Sequence, residues 1–183
     1  MGREQRALAL VGVCIALTIL GGFVMTWFTL ASGELTWAID LHGSTFCDAG
    51  ACHRAGLGAT GFYGDNAAMT LWGSVAFALF AASQVALRLG RGYPSAKWTK
   101  KGYFWGVTMA GTVLTTAYLF PPDAAGKLAH AAVERTWAPL VLAIGQICGI
   151  VAVYYAGDST YDDDVGEYKP IIVAKPASKP PTG

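Results

Sequence analysis

Residues 7–31 read ALALVGVCIALTILGGFVMTWFTLA, and no Asp, Glu, Lys, Arg or His interrupts them. A helix rises about 1.5 Å per residue, so a run of this length covers a hydrocarbon core of about 30 Å. Residues 67–87, 102–120 and 137–155 form three further runs that are equally free of these five residue types. Four long helices without a polar face offer nothing to water. Lipid accepts them, because a helix satisfies its own backbone hydrogen bonds. The pattern predicts an all-α membrane protein, a four-transmembrane-helix bundle. The first run is longer than the ~7–15-residue apolar core of a signal peptide, so it reads as a retained span. Arg6 stands where a myristoylation signal wants Ser or Thr, which argues against lipidation at Gly2.

Composition agrees with this reading. Of the 183 residues, 54% are hydrophobic and 14% charged, against about 25% charged in a typical soluble domain. The formal net charge is only +1, so no overall field draws nucleic acid. The expected partners are membrane lipids, other membrane protein subunits or further copies of the chain. Aromatic residues mark the span ends, where amphipathic rings settle at the headgroup level. Trp27 and Phe28 close the first run. Tyr103, Phe104 and Trp105 open the third, which Tyr118 and Phe120 close. Trp137 opens the fourth, and Tyr154 and Tyr155 end it.

Charge asymmetry sets the expected orientation. Arg3 and Arg6 precede the first run, and Arg88, Arg91, Lys97, Lys100 and Lys101 lie between the second and third with no acid among them. The outer loops, residues 32–66 and 121–136, carry only Arg54, Lys127 and Arg135 against six acids: Glu34, Asp40, Asp48, Asp65, Asp123 and Glu134. An excess of Lys and Arg stays inside, so the N- and C-termini are expected in the cytoplasm.

The first outer loop holds Cys47 and Cys52 within HGSTFCDAGACHRAG, residues 42–56. Two thiols five positions apart on an oxidising side point to a structural disulfide. Short strands such as residues 35–39 are expected to flank the stapled turn, giving the loop a small β-sheet. Two alternatives stand beside this: a catalytic disulfide, and a metal site drawing on His42 and His53, since Cys and His are zinc ligands. Cys-x4-Cys is not a usual zinc spacing, and an oxidised pair cannot ligate. His130, in the second outer loop, reads as a surface histidine.

Four helices, a long stapled first outer loop and a short second one resemble the claudin-type tetraspan family. In that family the first loop carries a Trp, then Gly-Leu-Trp, then two disulfide-bonded cysteines on a small sheet above the bundle. Trp37 matches the first Trp, and Cys47 and Cys52 match the pair. HGSTF, residues 42–46, stands before Cys47 in place of Gly-Leu-Trp. The resemblance implies cell-surface adhesion or barrier formation. In size and helix number the chain also resembles bacterial disulfide-generating membrane proteins, which would imply a thiol oxidoreductase using quinone. Those need two communicating outer cysteine pairs, whereas Cys14 and Cys148 lie inside the apolar runs here.

Within the spans the strongest polar groups are Gln84, expected to reach the interface, and Gln146, expected to bond between helices. Gly12 to Ala16, Gly106 to Ala110 and Gly145 to Gly149 are small-x-x-x-small steps that permit close helix packing, within the bundle or against a neighbouring subunit. Gly21-Gly22 permits a bend. No span contains a histidine pair for haem, and no Walker loop, nucleophile elbow or HExxH occurs. Enzymatic activity and cofactors are therefore not expected, beyond bound lipid. The tail, residues 157–183, is acidic through Asp158, Asp162, Asp163, Asp164 and Glu167, then rich in Pro and Lys. Ile171, Ile172 and Val173 offer an anchor for docking to a partner. The combined expectation is a non-catalytic membrane subunit that scaffolds an assembly through its outer loop and tail.

Overall fold

A computed structural model describes residues 2–56, 64–90, 96–119, 122 and 132–157. Ile171, Ile172, Val173, His130 and most of the second outer loop lie outside the described residues. Among these residues there are four α-helices: α1 (Arg3–Ile19), α2 (Gly64–Leu89), α3 (Ala96–Tyr118) and α4 (Ala138–Ala156). Strands β1 (Phe28–Ser32), β2 (Leu35–Ile39), β3 (Ser44–Asp48), β4 (Ala51–Ala55) and β5 (Ala132–Arg135) form one antiparallel sheet in the order β4-β3-β2-β1-β5. The molecule is thus mostly helical but not all-α.

Among the described residues three helical segments, Arg3–Val24, Asp65–Leu89 and Ala138–Ala156, are long and apolar enough to cross a membrane. Their outer surfaces suit lipid: Leu8, Ile19, Leu79 and Ile147 are all more than half exposed. Small residues fill the inside, with Ala7, Ala81, Ala152 and Ala156 fully buried. Backbones in a lipid-facing bundle gain contact this way, because apolar side chains gain little by leaving lipid. Helix α3 is more polar than its neighbours. It carries Lys97, Lys100 and Lys101 in its first turns and four threonines further on. Thr108 Oγ1 donates to Phe104 O (2.8 Å) and Thr112 Oγ1 to Thr108 O (2.9 Å), so these hydroxyls are satisfied within the helix.

The first run needs correction. Its helix stops at Ile19, Leu20–Val24 form a π-helical turn, and Phe28 already belongs to β1. Gly21 and Gly22 sit in that turn because neighbours press against them. A Cβ on Gly21 would lie 2.9 Å from Leu142 N, and one on Gly22 would lie 2.9 Å from Leu71 Cδ1. Trp27 and Phe28 are therefore not belt residues: both are fully buried between bundle and sheet. An apolar strand covered on both sides is indistinguishable by hydropathy from the end of an apolar helix. The second correction concerns the loop of residues 121–136, which contributes β5 to the sheet.

Two-residue hairpin loops set the registers of the first and third strand pairs. Gly33 (φ 62°) begins the β1–β2 turn. The β3–β4 turn places both central residues at positive φ, Ala49 at 46° and Gly50 at 86°. Such turns match the twist of a hairpin but favour Asn-Gly over Ala-Gly. Ala49→Asn is therefore expected to raise stability by about 0.5–1 kcal/mol, read as a higher midpoint in thermal unfolding in detergent.

Candidate functional site: the stapled sheet and its seam with the bundle

Alternation along the strands gives the sheet two unlike faces. Phe28, Leu30, Trp37, Ile39 and Val133 face the bundle and pack with Leu71, Val113, Ala117 and Leu142 in one core. Trp37 also meets Phe46 edge to face, with ring centroids 5.5 Å apart. The opposite face carries Thr29, Ala31, Thr36, Thr45, Cys47, Cys52, Arg54 and Glu134, small or polar side chains that leave it open to solvent.

Cys47 and Cys52 are directly opposed on β3 and β4, with Cα atoms 4.0 Å apart, and they form a disulfide. The staple locks the hairpin that lies farthest from the bundle's support. The enclosed ring is small, so the loop-closure gain is modest. Replacing both cysteines by Ser is expected to cost about 2 kcal/mol, measured by chemical unfolding followed by circular dichroism. The oxidised pair offers no thiolate to a metal. His42 sits in the β2–β3 loop, with its ring centroid 6.4 Å from that of Phe23, whereas His53 lies on β4 opposite Phe46. Among the described residues no group of three or more His, Cys, Asp or Glu could hold a metal ion. The free thiols, Cys14 and Cys148, belong to α1 and α4 rather than to the sheet.

A cavity of about 90 Å³ opens where β2 turns into β3, lined by Asp40, His42, Ser44, Thr45 and Arg54 among others. Ser44 Oγ donates to Ala55 O (3.1 Å), which ties the start of β3 to the end of β4 beside the cavity.

Trp27 is the joint between sheet and bundle. Its backbone N–H donates to Ile39 O (2.8 Å), and its carbonyl accepts from Thr136 N (3.1 Å). Its indole Nε1 donates to Gly21 O (2.7 Å) within the core. That carbonyl needs a partner because the helix ends before the residue that would have served it. Thr136 ties the same point to α4: its hydroxyl donates to Thr26 O and accepts from Ala138 N (3.1 Å) at the helix start. Arg135, on β5, donates from Nε to Ala117 O (3.0 Å) and lies over the Tyr118 ring. It thus caps the C-terminus of α3, where the helix dipole favours a cation. Neither role was visible in the sequence, where Trp27 read as a belt residue and Arg135 as a loop charge.

Of the small-residue steps, two face inward. A Cβ on Gly106 would meet Ile150 and Phe77, one on Gly145 would meet Leu17, and one on Gly149 would meet Phe77 and Cys14. Ala110 is half-buried beside them. Gly12 and Ala16 face outward instead, and a Cβ on Gly12 would meet nothing within 4 Å. Gln146 is fully buried and donates from Nε2 to Thr18 Oγ1 (3.3 Å), joining α4 to α1. Gln84 does not reach the surface; it is 5% exposed.

No protein-family model matches this chain, and no curated protein matches it.

Proposed function

We propose that this protein is a four-span integral membrane subunit that presents the stapled sheet outside the membrane as a protein-contact surface. The observation that carries this is the shared core of sheet and bundle, in which Trp27, Phe28, Leu30 and Ile39 pack directly on Leu71, Val113 and Leu142. A sheet fixed in this way moves with its anchor, and its staple holds the outlying hairpin in one conformation. Such preorganisation favours recognition, because less freedom is lost when a partner binds. Helix α3 serves as the remaining span. Thr108 and Thr112 are bonded within the helix and Thr116 bonds Thr70 of α2 (2.9 Å), and the helices before and after it are long and apolar enough to cross a membrane. The termini face the cytoplasm, following the Lys and Arg excess at that end. The activity is non-catalytic, and lipid is the expected bound small molecule.

The outward step of Gly12 and Ala16 supports assembly inside the membrane, because it leaves room for a neighbouring helix backbone. Gly12→Leu is expected to leave the stability of the isolated chain unchanged while weakening its association, read by size-exclusion chromatography in mild detergent. Purification from the native membrane in gentle detergent, followed by mass spectrometry, tests the subunit function. Stoichiometric partner proteins are expected. A lone monomer would contradict it.

A second reading is a claudin-like tetraspan acting in adhesion or barrier formation. It requires a sheet within residues 32–66, and strands β2, β3 and β4 lie there with Trp37 and the disulfide. It is distinguished by its partner, which would be a second copy on the same or an opposing membrane. A thiol oxidoreductase would instead show Cys47 and Cys52 cycling between thiol and disulfide, which thiol trapping reads.

A further inference from the structure

The end of the bundle away from the sheet gathers cations around the point where the chain leaves α4. Arg3 donates to three carbonyls there: Nε to Tyr155 O (3.0 Å), and Nη2 to Tyr154 O (3.1 Å) and Gly157 O (3.2 Å). Arg6 lies over the Tyr155 ring. Gly157 packs beside α3, with its Cβ position 3.3 Å from Thr99 Cγ2. Thr99 is flanked on the same first turns by exposed Lys97, Lys100 and Lys101. Arg88 completes the cationic set and pairs with Glu4 at 3.5 Å. The sequence that follows Gly157 begins DSTYDDDVGE, residues 158–167, and it bears five acids.

We propose that this acidic segment docks on the basic start of α3, at Lys97, Lys100 and Lys101. Charge complementarity and chain length both favour this occupant. Asp158 adjoins Gly157, and Asp162 lies five residues on, a reach of up to about 17 Å. The three lysines span only about 6 Å of helix rise. Tethering holds the acids near the lysines at an effective concentration on the order of millimolar. The positive end of the α3 dipole adds to the attraction. The segment competes with anionic lipid headgroups for the same basic turns. This contact depends on the end of the bundle, not on which side of a membrane that end faces.

Carbodiimide coupling tests this directly, because it joins a lysine amine to a carboxylate only where the two are in contact. The full chain is placed singly in phosphatidylcholine nanodiscs, coupled, digested and read by mass spectrometry. Links from Lys97, Lys100 or Lys101 to residues 158–167 are expected. They should fall several-fold at about 0.5 M NaCl, where screening is strong, and vanish in D162N/D163N/D164N apart from links to Asp158 or Glu167. Reversing both partners, with K97E/K100E/K101E and D162K/D163K/D164K together, should restore coupling that the lysine reversals alone abolish. Circular dichroism of each variant checks that it is folded. Absence of these links, or links that are insensitive to salt, would overturn the proposal. So would their loss in phosphatidylserine nanodiscs at low salt, which would make the lipid headgroup the occupant.

Discussion

Replacing Trp27 by Ala is expected to lower stability by about 3–5 kcal/mol, the range for removing a fully buried aromatic side chain. Three connections fail together. The core between sheet and bundle loses its largest side chain, since Trp27 is fully buried. Gly21 O loses the indole donor held at 2.7 Å. The segment joining β1, β2 and the start of α4 loses the side chain that fixes its position. Trp27→Phe separates these terms, because it keeps most of the apolar volume but leaves Gly21 O unpaired. It should cost about 1–3 kcal/mol. A thiol-reactive fluorogenic dye reads the unfolding, since Cys14 is buried and Cys148 half-buried in the folded chain. Equal melting of wild type and Trp27→Ala would show that the sheet does not depend on this joint.

Gly21→Val is the second large effect. Its Cβ would approach Leu142 N at 2.9 Å and Ala138 O at 3.0 Å, both of them backbone atoms of α4. A flexible side chain can swing away from such a contact, but a helix backbone cannot. Helices α1 and α4 have the most extensive contact in the bundle, so separating them costs packing along both. A loss of about 1–3 kcal/mol or more is expected. Shifting Gly21 also strains the Trp27 bond, so Gly21→Val and Trp27→Phe should be less than additive when combined. Gly22→Val would press only on the flexible tip of Leu71 and should cost less. A Gly21→Val variant that melts with wild type would contradict the close approach of α1 and α4.

The sequence was most informative where one physical signal dominated. Uninterrupted apolar runs revealed α1, α2 and α4, and the bounds of β2 follow from the alternation in Leu35–Ile39. The disulfide was legible from the spacing of Cys47 and Cys52 in a polar loop. What stayed hidden was the boundary near Met25. Trp27 and Phe28 are apolar because sheet and bundle close over them, and hydropathy alone cannot separate that burial from contact with lipid. Strand β5 was hidden because four residues, Ala132–Arg135, hold too little alternation to stand out before they pair with β1. The facing of the small-residue steps was hidden too. In a helix that is apolar on every side, no polar stripe marks which face is outside, so Gly12 and Gly145 looked alike.

Labelling with a membrane-impermeant maleimide, on intact cells and after permeabilisation, tests the central claim most directly. In a chain carrying Cys14→Ala and Cys148→Ala, a single reporter is introduced as Glu134→Cys, on β5, or as Lys97→Cys, at the start of α3. A sheet held outside by four spans predicts that Glu134→Cys labels on intact cells and Lys97→Cys only after permeabilisation. If both reporters label alike on intact cells, α3 does not cross the membrane, and the sheet and the basic end of the bundle share one side.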